Sequence, residues 1–443
     1  SKEDLMNVRF IACLIAYLIG VLFSGAAVAD DLFDYYKRLH ANPELSHFEI
    51  NTSANLAAEL RKAGYQVTER VGKYADGSRA YGVVAILENG PGPRLLIRAD
   101  MDALPIVEET GLPYASKVMA KNLAGQEVGV MHACGHDIHV TTLLGTAREL
   151  AARRKEWYGT VVLVGQPSEE TLDGAQAMLR DGLYQRFGRP DMALAMHDSP
   201  GLATGQVGVY SGATHAAVTS IDVTIRGIGG HGAAPHRGKD PIVMAAQFIN
   251  QIQTIVSRNE DPMESAVVTV GSIHGGTKRN IIPDEVKLEL TTRARSDTAM
   301  KIIVDGIRRA AEGVAVSNGL AEDRKPIVNI IESETGPSNV NHAAMAARVK
   351  KAISGALGAD KVTDGFGIMG SEDFAQYSLP PERPIPTVLF ILGVIDPELL
   401  AKANVGKAYV AGTHTSKFAP MAEAALKVGV KTMTAAAIDL LQK

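Results

Sequence analysis

The sequence predicts an α/β protein in which a mostly parallel sheet is flanked by helices and a smaller α+β unit interrupts the chain. Three observations carry this. Short apolar runs alternate with helical patterns up to about residue 213, the signature of βαβ construction. From about Thr214 the rhythm changes to strand, helix, two strands, helix, strand. Near Asn339 the first rhythm resumes and a helix closes the chain from Pro420.

In chain order, Asp31–Leu39 and Asn51–Ala63 read as helices, the second stopping at Gly64. Tyr65–Arg70 and Gly82–Glu88 alternate as strands, and Arg94–Arg98 is a third. Ile138–Arg153 reads as a helix, Thr160–Val164 and Met192–Met196 as buried strands. The second unit follows as strand Val218–Arg226, helix Pro241–Val256, strands Ala266–Ile273 and Val286–Arg295, helix Asp297–Val314 and strand Pro326–Ser333. That order is the split βαβ, ferredoxin-like arrangement. Strand Thr387–Leu392 returns to the first sheet. The divisions expected are 1–29, 30–213, 214–335 and 336–443.

The chain has 443 residues, 46% of them hydrophobic, enough for a large core and more than one domain. Net charge is -4 and no long basic run occurs, which argues against a nucleic-acid partner. Arg9, the apolar run Phe10–Phe23 and Ala27-Val28-Ala29 form the three parts of a secretory signal, with cleavage expected after Ala29. The run is shorter than the ~20 residues of a membrane span. The expectation is a periplasmic or secreted protein, free of the membrane once processed, with an uncleaved N-terminal anchor as the alternative. Only Cys13 and Cys134 are present, so the processed chain keeps one thiol and forms no internal disulfide.

The chemistry centres on His132-Ala-Cys-Gly-His-Asp137. Three further stretches offer the same kinds of ligand: Gln166-Pro-Ser-Glu-Glu170, Met196-His197 and Gly412-Thr-His414. Each follows or nearly follows an apolar run, and open α/β sheets gather ligands outside the carboxyl ends of their strands. Cys134 as thiolate, His136, His197 and His414 as imidazoles and Glu170 as carboxylate make a mixed N, S, O set suited to zinc, manganese, cobalt or nickel. Five ligands exceed one tetrahedral ion but serve two divalent ions if Cys134 bridges. Two ions roughly 3.5–4 Å apart activate water and polarise a carbonyl. Of the adjacent glutamates, Glu170 suits the metal and Glu169 the general base. Any one of these histidines taken alone is as readily a packing residue, and a Glu-Glu pair is commonly a solvated loop. Gly229-Gly-His231-Gly in the second unit lacks the GK[ST] of a phosphate loop; His231 suits a developing oxyanion, although by itself it reads as a surface residue.

These motifs resemble a known family. His40-Ala-Asn-Pro-Glu-Leu-Ser46, Arg98-Ala-Asp-Met-Asp-Ala-Leu-Pro105, the Cys134 and Glu170 stretches, Gly229-Gly-His-Gly-Ala-Ala-Pro-His236, Asn280-Ile-Ile-Pro-Asp284 and Gly370-Ser-Glu-Asp-Phe374 are similar to the metallopeptidase clan of aminoacylases and glutamate carboxypeptidases. They fall closest to its branch of hippurate hydrolases, N-acyl-amino-acid amidohydrolases and indole-acetyl-amino-acid hydrolases. The resemblance implies a zinc-exopeptidase-like catalytic domain with a lid and dimerisation domain inserted. It implies Cys134 bridging, His136 and His197 on one ion, Glu170 and His414 on the other, and Glu169 as catalytic base. It further implies His231 reaching the active site of a partner subunit in a homodimer, Asn280 contacting substrate and Arg295 clamping a substrate carboxylate. Asp100, Asp102 and Glu372 are expected to support ligands rather than bind metal. The substrate implied is a small N-acyl amino acid or peptide. Asp198-Ser-Pro after His197, Thr415-Ser-Lys-Phe after His414 and Gly232 after His231 depart from the usual pattern. A dipeptidase or carboxypeptidase on the same scaffold, a cysteine amidase using Cys134 and a non-catalytic binding protein are the rival readings.

Overall fold

The computed structural model describes residues 31–365, 367–379 and 383–442; the signal sequence read at 1–29 lies outside these. The first helix, α1 (31–41), buries Tyr35, Tyr36 and Leu39. Helix α2 (Ile50–Lys62) buries Leu56, Ala57 and Leu60 at helical spacing, and Gly64 takes the left-handed conformation (φ 89°) that turns the chain out of it. Strands β1 (Gln66–Lys73), β2 (Arg79–Asn89) and β3 (Arg94–Asp100) follow, then α3 (His136–Ala152), β4 (Gly159–Gln166), α4 (Gly174–Arg180) and β5 (Met192–Ala203).

The chain then builds a second sheet. Strand β6 (Ala217–Arg226) leads to α5 (Pro241–Thr254), whose entry is fixed by Pro241 and by Asp240 accepting from the Ile242 amide. Strands β7 (Ala266–His274) and β8 (Glu285–Ala294), helix α6 (Asp297–Ser317, capped by Ser296) and β9 (Ile327–Gly336) complete it. The sheet is antiparallel in the order β7-β8-β6-β9, the ferredoxin-like order expected. Its core is its own: Ile221, Val223 and Ile225 pack against Phe248 of α5 and Ile303 and Ile307 of α6.

Helix α7 (Ala343–Leu357), strand β10 (Thr387–Ile395) and helix α8 (Ala422–Leu440) return the chain to the first sheet. Its strand order is β1-β2-β4-β3-β5-β10, continued by the short Val207–Gly208 and Val362–Thr363. The central four strands are parallel, while β1 and β2 pair antiparallel at one edge. Both faces of the sheet are covered, which is why β3 reads as a continuous apolar run. Leu95 and Ile97 point into the core beneath α1, α2, α3, α7 and α8, and Leu96 points to the opposite core with Met178 of α4. Helices α4 and α7, the helix Pro397–Asn404 and the hairpin of Met119–Lys121 with Glu127–Gly129 were not anticipated from sequence. Among the described residues no helix is long and apolar enough to cross a membrane.

Register decides where the site forms. Asp100 pairs with Gln166 at the carboxyl ends of β3 and β4, and His197 pairs with Ile391 between β5 and β10. The chain leaves the sheet at one rim after Asp100 and Gln166, whereas β5 continues past His197 to Ala203, so His197 is offered from within its strand. The two connections between the sheets run side by side: Asn339–Asn341 pairs with Gly212–His215, and the Asn339 side chain donates to Thr214 Oγ1 at 2.7 Å.

Candidate metal centre

The turn His132–Gly135 brings Cys134 and His136 to the rim just as α3 begins. Gly135 adopts φ 79°, a conformation that costs glycine little. The His136 Nδ1 donates to the Asp102 carbonyl at 2.9 Å, which leaves Nε2 as the free lone pair. The His197 Nδ1 likewise donates to the Asp198 carbonyl at 2.6 Å, and its Nε2 lies 3.7 Å from the Cys134 sulfur. From the far end of the chain, the His414 Nε2 lies 3.2 Å from the same sulfur and 3.5 Å from Glu170 Oε2. The five sequence-predicted ligands thus converge, and they do so as two triads that share the thiol: Cys134, His136 and His197 form one, Cys134, Glu170 and His414 the other. Within each triad the donor atoms lie within 4.8 Å of one another.

The donor set fits cations. His136 Nε2 and Glu170 Oε1 are buried without a hydrogen-bond partner, and buried polar atoms are seldom left so. Burial foremost, then Glu372, Glu170 and Asp373, push the Glu169 carboxyl well above the ordinary carboxylate range. Burial, then Glu170, pushes the Cys134 thiol up. Burial and the neighbouring carboxylates produce both shifts, and a cation held by these donors would oppose them.

Glu169 is 6% exposed, with Oε2 3.9 Å from His136 Nε2, so it is no solvated loop residue. Asp102 holds the glutamate pair in place: its two oxygens accept from the Glu169 amide at 3.1 Å, the Glu170 amide at 3.0 Å and the Ser46 hydroxyl at 2.7 Å. Behind it, the buried Arg98 guanidinium pairs with Asp100 at 2.6 Å, Glu372 at 2.7 Å and Asp373 at 3.1 Å. In this structure Asp102 and Glu372 thus hold backbone amides and Arg98, and Asp100 pairs with Arg98 and His139.

One expectation needs adjustment. His414 does not follow a strand: β10 ends at Ile395, the helix Pro397–Asn404 intervenes, and His414 sits in a loop at φ 61° with its amide on the Ala133 carbonyl. Cys134 and His136 follow a short hairpin outside the main sheet. The rim is therefore assembled partly by loops.

The second domain's residues do not join the cluster within one chain. His231 is exposed; its Nδ1 accepts from the Ala233 amide, and its strand pairs with Ile281–Ile282. Asn280 is exposed beside it, its carbonyl accepting from the Gly232 amide. The Arg295 guanidinium donates to the Ala213 carbonyl at 2.6 Å and lies over the Tyr210 ring. Arg293, not singled out in the sequence, is the better placed arginine. In β8 the even-numbered side chains Val286 to Ala294 are buried, so Arg293 faces the other way. It reaches the Ser371 hydroxyl next to Glu372, and among the described residues it has no ion-pair partner.

His139, three residues beyond His136, was also missed, although helical spacing places both on one face of α3. Its Nδ1 lies 2.5 Å from Asp100 Oδ1 and its Nε2 3.0 Å from Asp198 Oδ1. Burial opposes a charge on this ring, but the two carboxylates outweigh it and raise its pKa to about 9. Two cavities flank the cluster. One of about 430 Å³ is lined by Leu45, Ala103, Leu104, Leu123 and Glu170. The other, about 70 Å³, is lined by His197, Leu202, His215, Ile368 and Ile391. A larger cavity of about 960 Å³ between α1, α2 and Val118–Lys121 contains none of the cluster ligands.

Residues 96–439 match Peptidase family M20/M25/M40. The chain belongs to this family. It is 36% identical over 341 residues to hippurate hydrolase of Campylobacter jejuni, covering 76% of this chain and 82% of that one. It is 32% identical over 418 residues to thermostable carboxypeptidase 2 of Saccharolobus solfataricus, covering 94% and 97%. Its fold superimposes with a TM-score of 0.74 on the crystal structure of a dinuclear metal binding peptidase of the M20 family from Bacillus subtilis, at 30% identity and covering 94% and 99% of the two chains. The branch read from the motifs is the branch these relatives occupy.

Proposed function

We propose that this M20 protein is a metal-dependent amidohydrolase that cleaves N-acyl amino acids to a carboxylic acid and a free amino acid. The observation that carries the reading is the pair of triads sharing Cys134, with the buried Glu169 beside them. Cys134, His136 and His197 would hold one divalent ion, and Cys134, Glu170 and His414 the second; zinc, manganese, cobalt and nickel all suit the set. Bound there, the ions supply Lewis-acid polarisation of the scissile carbonyl and acidify water. Glu169 would take a proton from the water that adds to the carbonyl and would give it to the amine as the C–N bond breaks. Asp102 holds Glu169 at its backbone amide. The guanidinium of Arg293, hydrogen-bonded to Ser371 but without an ion-pair partner among the described residues, suits the substrate carboxylate by charge, a role the sequence reading gave to Arg295.

Because His231 and Asn280 are exposed and stand apart from the cluster, they would serve a neighbouring subunit's site in a homodimer built through the inserted domain. Export to the periplasm or beyond, by the signal read at 1–29, completes the proposal. A carboxypeptidase acting on peptides is the second reading, favoured by the relative from Saccharolobus solfataricus that aligns along 94% of the chain.

The deciding experiment offers metal-loaded protein N-acetyl, N-benzoyl and indole-acetyl amino acids beside dipeptides and reads free amine. The proposal expects the N-acyl amino acids to give the highest kcat/KM. Turnover of dipeptides alone would install the second reading, and turnover of neither would refute both.

A further inference from the structure

We propose that His139 is a positioning residue. By bridging Asp100 and Asp198 it holds the Cys134–His136 turn and His197 in register, and so sets the affinity of the ion those three ligands would share more than that of the Glu170–His414 ion, which has only Cys134 in common with it. The inference rests on the metal-binding reading above.

Asp198 links the two sides of this arrangement. It follows His197 in β5 and is 2% exposed. Its carbonyl accepts from His197 Nδ1 at 2.6 Å, which turns His197 Nε2 toward the Cys134 sulfur. Its carboxylate lies against Gly135, where an added Cβ would come 2.2 Å from Oδ1. One aspartate therefore touches the turn between two ligands and fixes the tautomer of a third. Its contact with His139 is double: both Oδ1 and the Asp198 amide nitrogen lie 3.0 Å from His139 Nε2, while Oδ2 is buried with no partner. The other nitrogen of His139 lies 2.5 Å from Asp100, which Arg98 ties to the core. The His139 ring also packs against both ligand rings, 5.3 Å from His136 and 4.8 Å from His197 between centroids. The imidazole is thus the brace between an anchored carboxylate and a carboxylate that would otherwise be buried alone.

The other triad shares Cys134 with this brace, and the His414 amide sits on the Ala133 carbonyl of the same turn, but its two remaining donors come from elsewhere. Glu170 is held by its amide on Asp102, and His414 comes from a loop, its side chain 54% exposed. Among the described residues His414 Nδ1 takes no hydrogen bond, whereas both histidines of the first triad donate theirs to a carbonyl.

The test counts ions. Wild type, His139→Gln, His414→Ala and His139→Gln/Asp198→Asn are stripped of metal and titrated with Zn²⁺ by calorimetry, with bound zinc counted by native mass measurement. The proposal expects two ions in wild type. His139→Gln should bind one ion about 10- to 100-fold more weakly and the other with a much smaller loss. His414→Ala should lose the complementary ion, so that adding it to His139→Gln abolishes tight binding. The double variant with Asp198→Asn has no buried carboxylate left unpaired and should regain much of the lost affinity. Two ions at unchanged affinity in His139→Gln would overturn the proposal, as would equal weakening of both. If His139→Gln does not fold, the double variant decides: folded with two ions supports the brace, unfolded or metal-free overturns it. Wild type that binds no zinc would instead refute the metal reading itself.

Discussion

Cys134 and His414 stand 280 residues apart in the chain, yet the His414 Nε2 lies 3.2 Å from the Cys134 sulfur. The same sulfur faces His197 Nε2 at 3.7 Å. A thiol placed between two imidazoles from different segments has the geometry of a bridge. A cysteine nucleophile would need one imidazole as base and would leave the second, with Glu170, unexplained. This contact separates the hydrolase reading from the cysteine amidase.

The adjacent glutamates divide the work. Glu169→Gln should keep both ions and lose turnover by roughly 10²-fold or more. Glu170→Ala should lose turnover together with one ion, because it removes a donor from the Cys134–Glu170–His414 triad. Metal analysis beside kcat distinguishes them. Equal metal loss in the two variants would mean that the roles are assigned wrongly.

The buried His40 makes stability depend on pH. Burial opposes its charge, but hydrogen bonds to Asp137 at 2.7 Å and Glu108 at 3.1 Å outweigh this and raise its pKa from 6.5 to about 10. A folded-state pKa above the unfolded one gives stability that is complete below about 6.5 and lost as pH climbs through about 10. Denaturant unfolding of metal-free protein at pH 6, 8 and 10 should show falling stability. His40→Gln should be weaker at pH 6 and decline less. Parallel pH profiles for the two proteins would exclude His40 as the source.

Assembly is tested by complementation. Glu169→Ala and His231→Ala, each inactive as a homodimer, are unfolded and refolded together in equal amounts. If His231 serves the partner's site, mixed dimers form about half the population and carry one intact site of two, so about a quarter of wild-type activity returns. If His231 acts within its own chain, every site keeps a lesion. Confirmed mixed dimers with no activity would disprove sharing.

Much of this was legible in the sequence because the ligands are chemically unusual and sit in short motifs. Period-2 and helical patterns also located most strands and the helices α2, α3, α5 and α6. What was not legible depends on long-range geometry. His139 gains its meaning from Asp100 and Asp198, which reach it from two other strands. Asp198 looks like a departure from pattern until its contact with Gly135 is seen. Arg293 and Arg295 are near neighbours in sequence, and only strand parity and the end of β8 at Ala294 send one toward Ser371 and the other toward Ala213. The loop that delivers His414 has no periodicity to read; it is placed by its amide on Ala133 and by the hydroxyl of Ser416 on Glu109.

The central claim is that two ions held around Cys134 carry the hydrolysis of an N-acyl amino acid. Its most direct test titrates metal-stripped protein with Zn²⁺ or Mn²⁺ while bound metal and release of glycine from N-benzoylglycine are followed in the same samples. The account predicts no turnover without metal, and activity that rises as the count approaches two ions per chain. Full activity at a metal content near zero would contradict it.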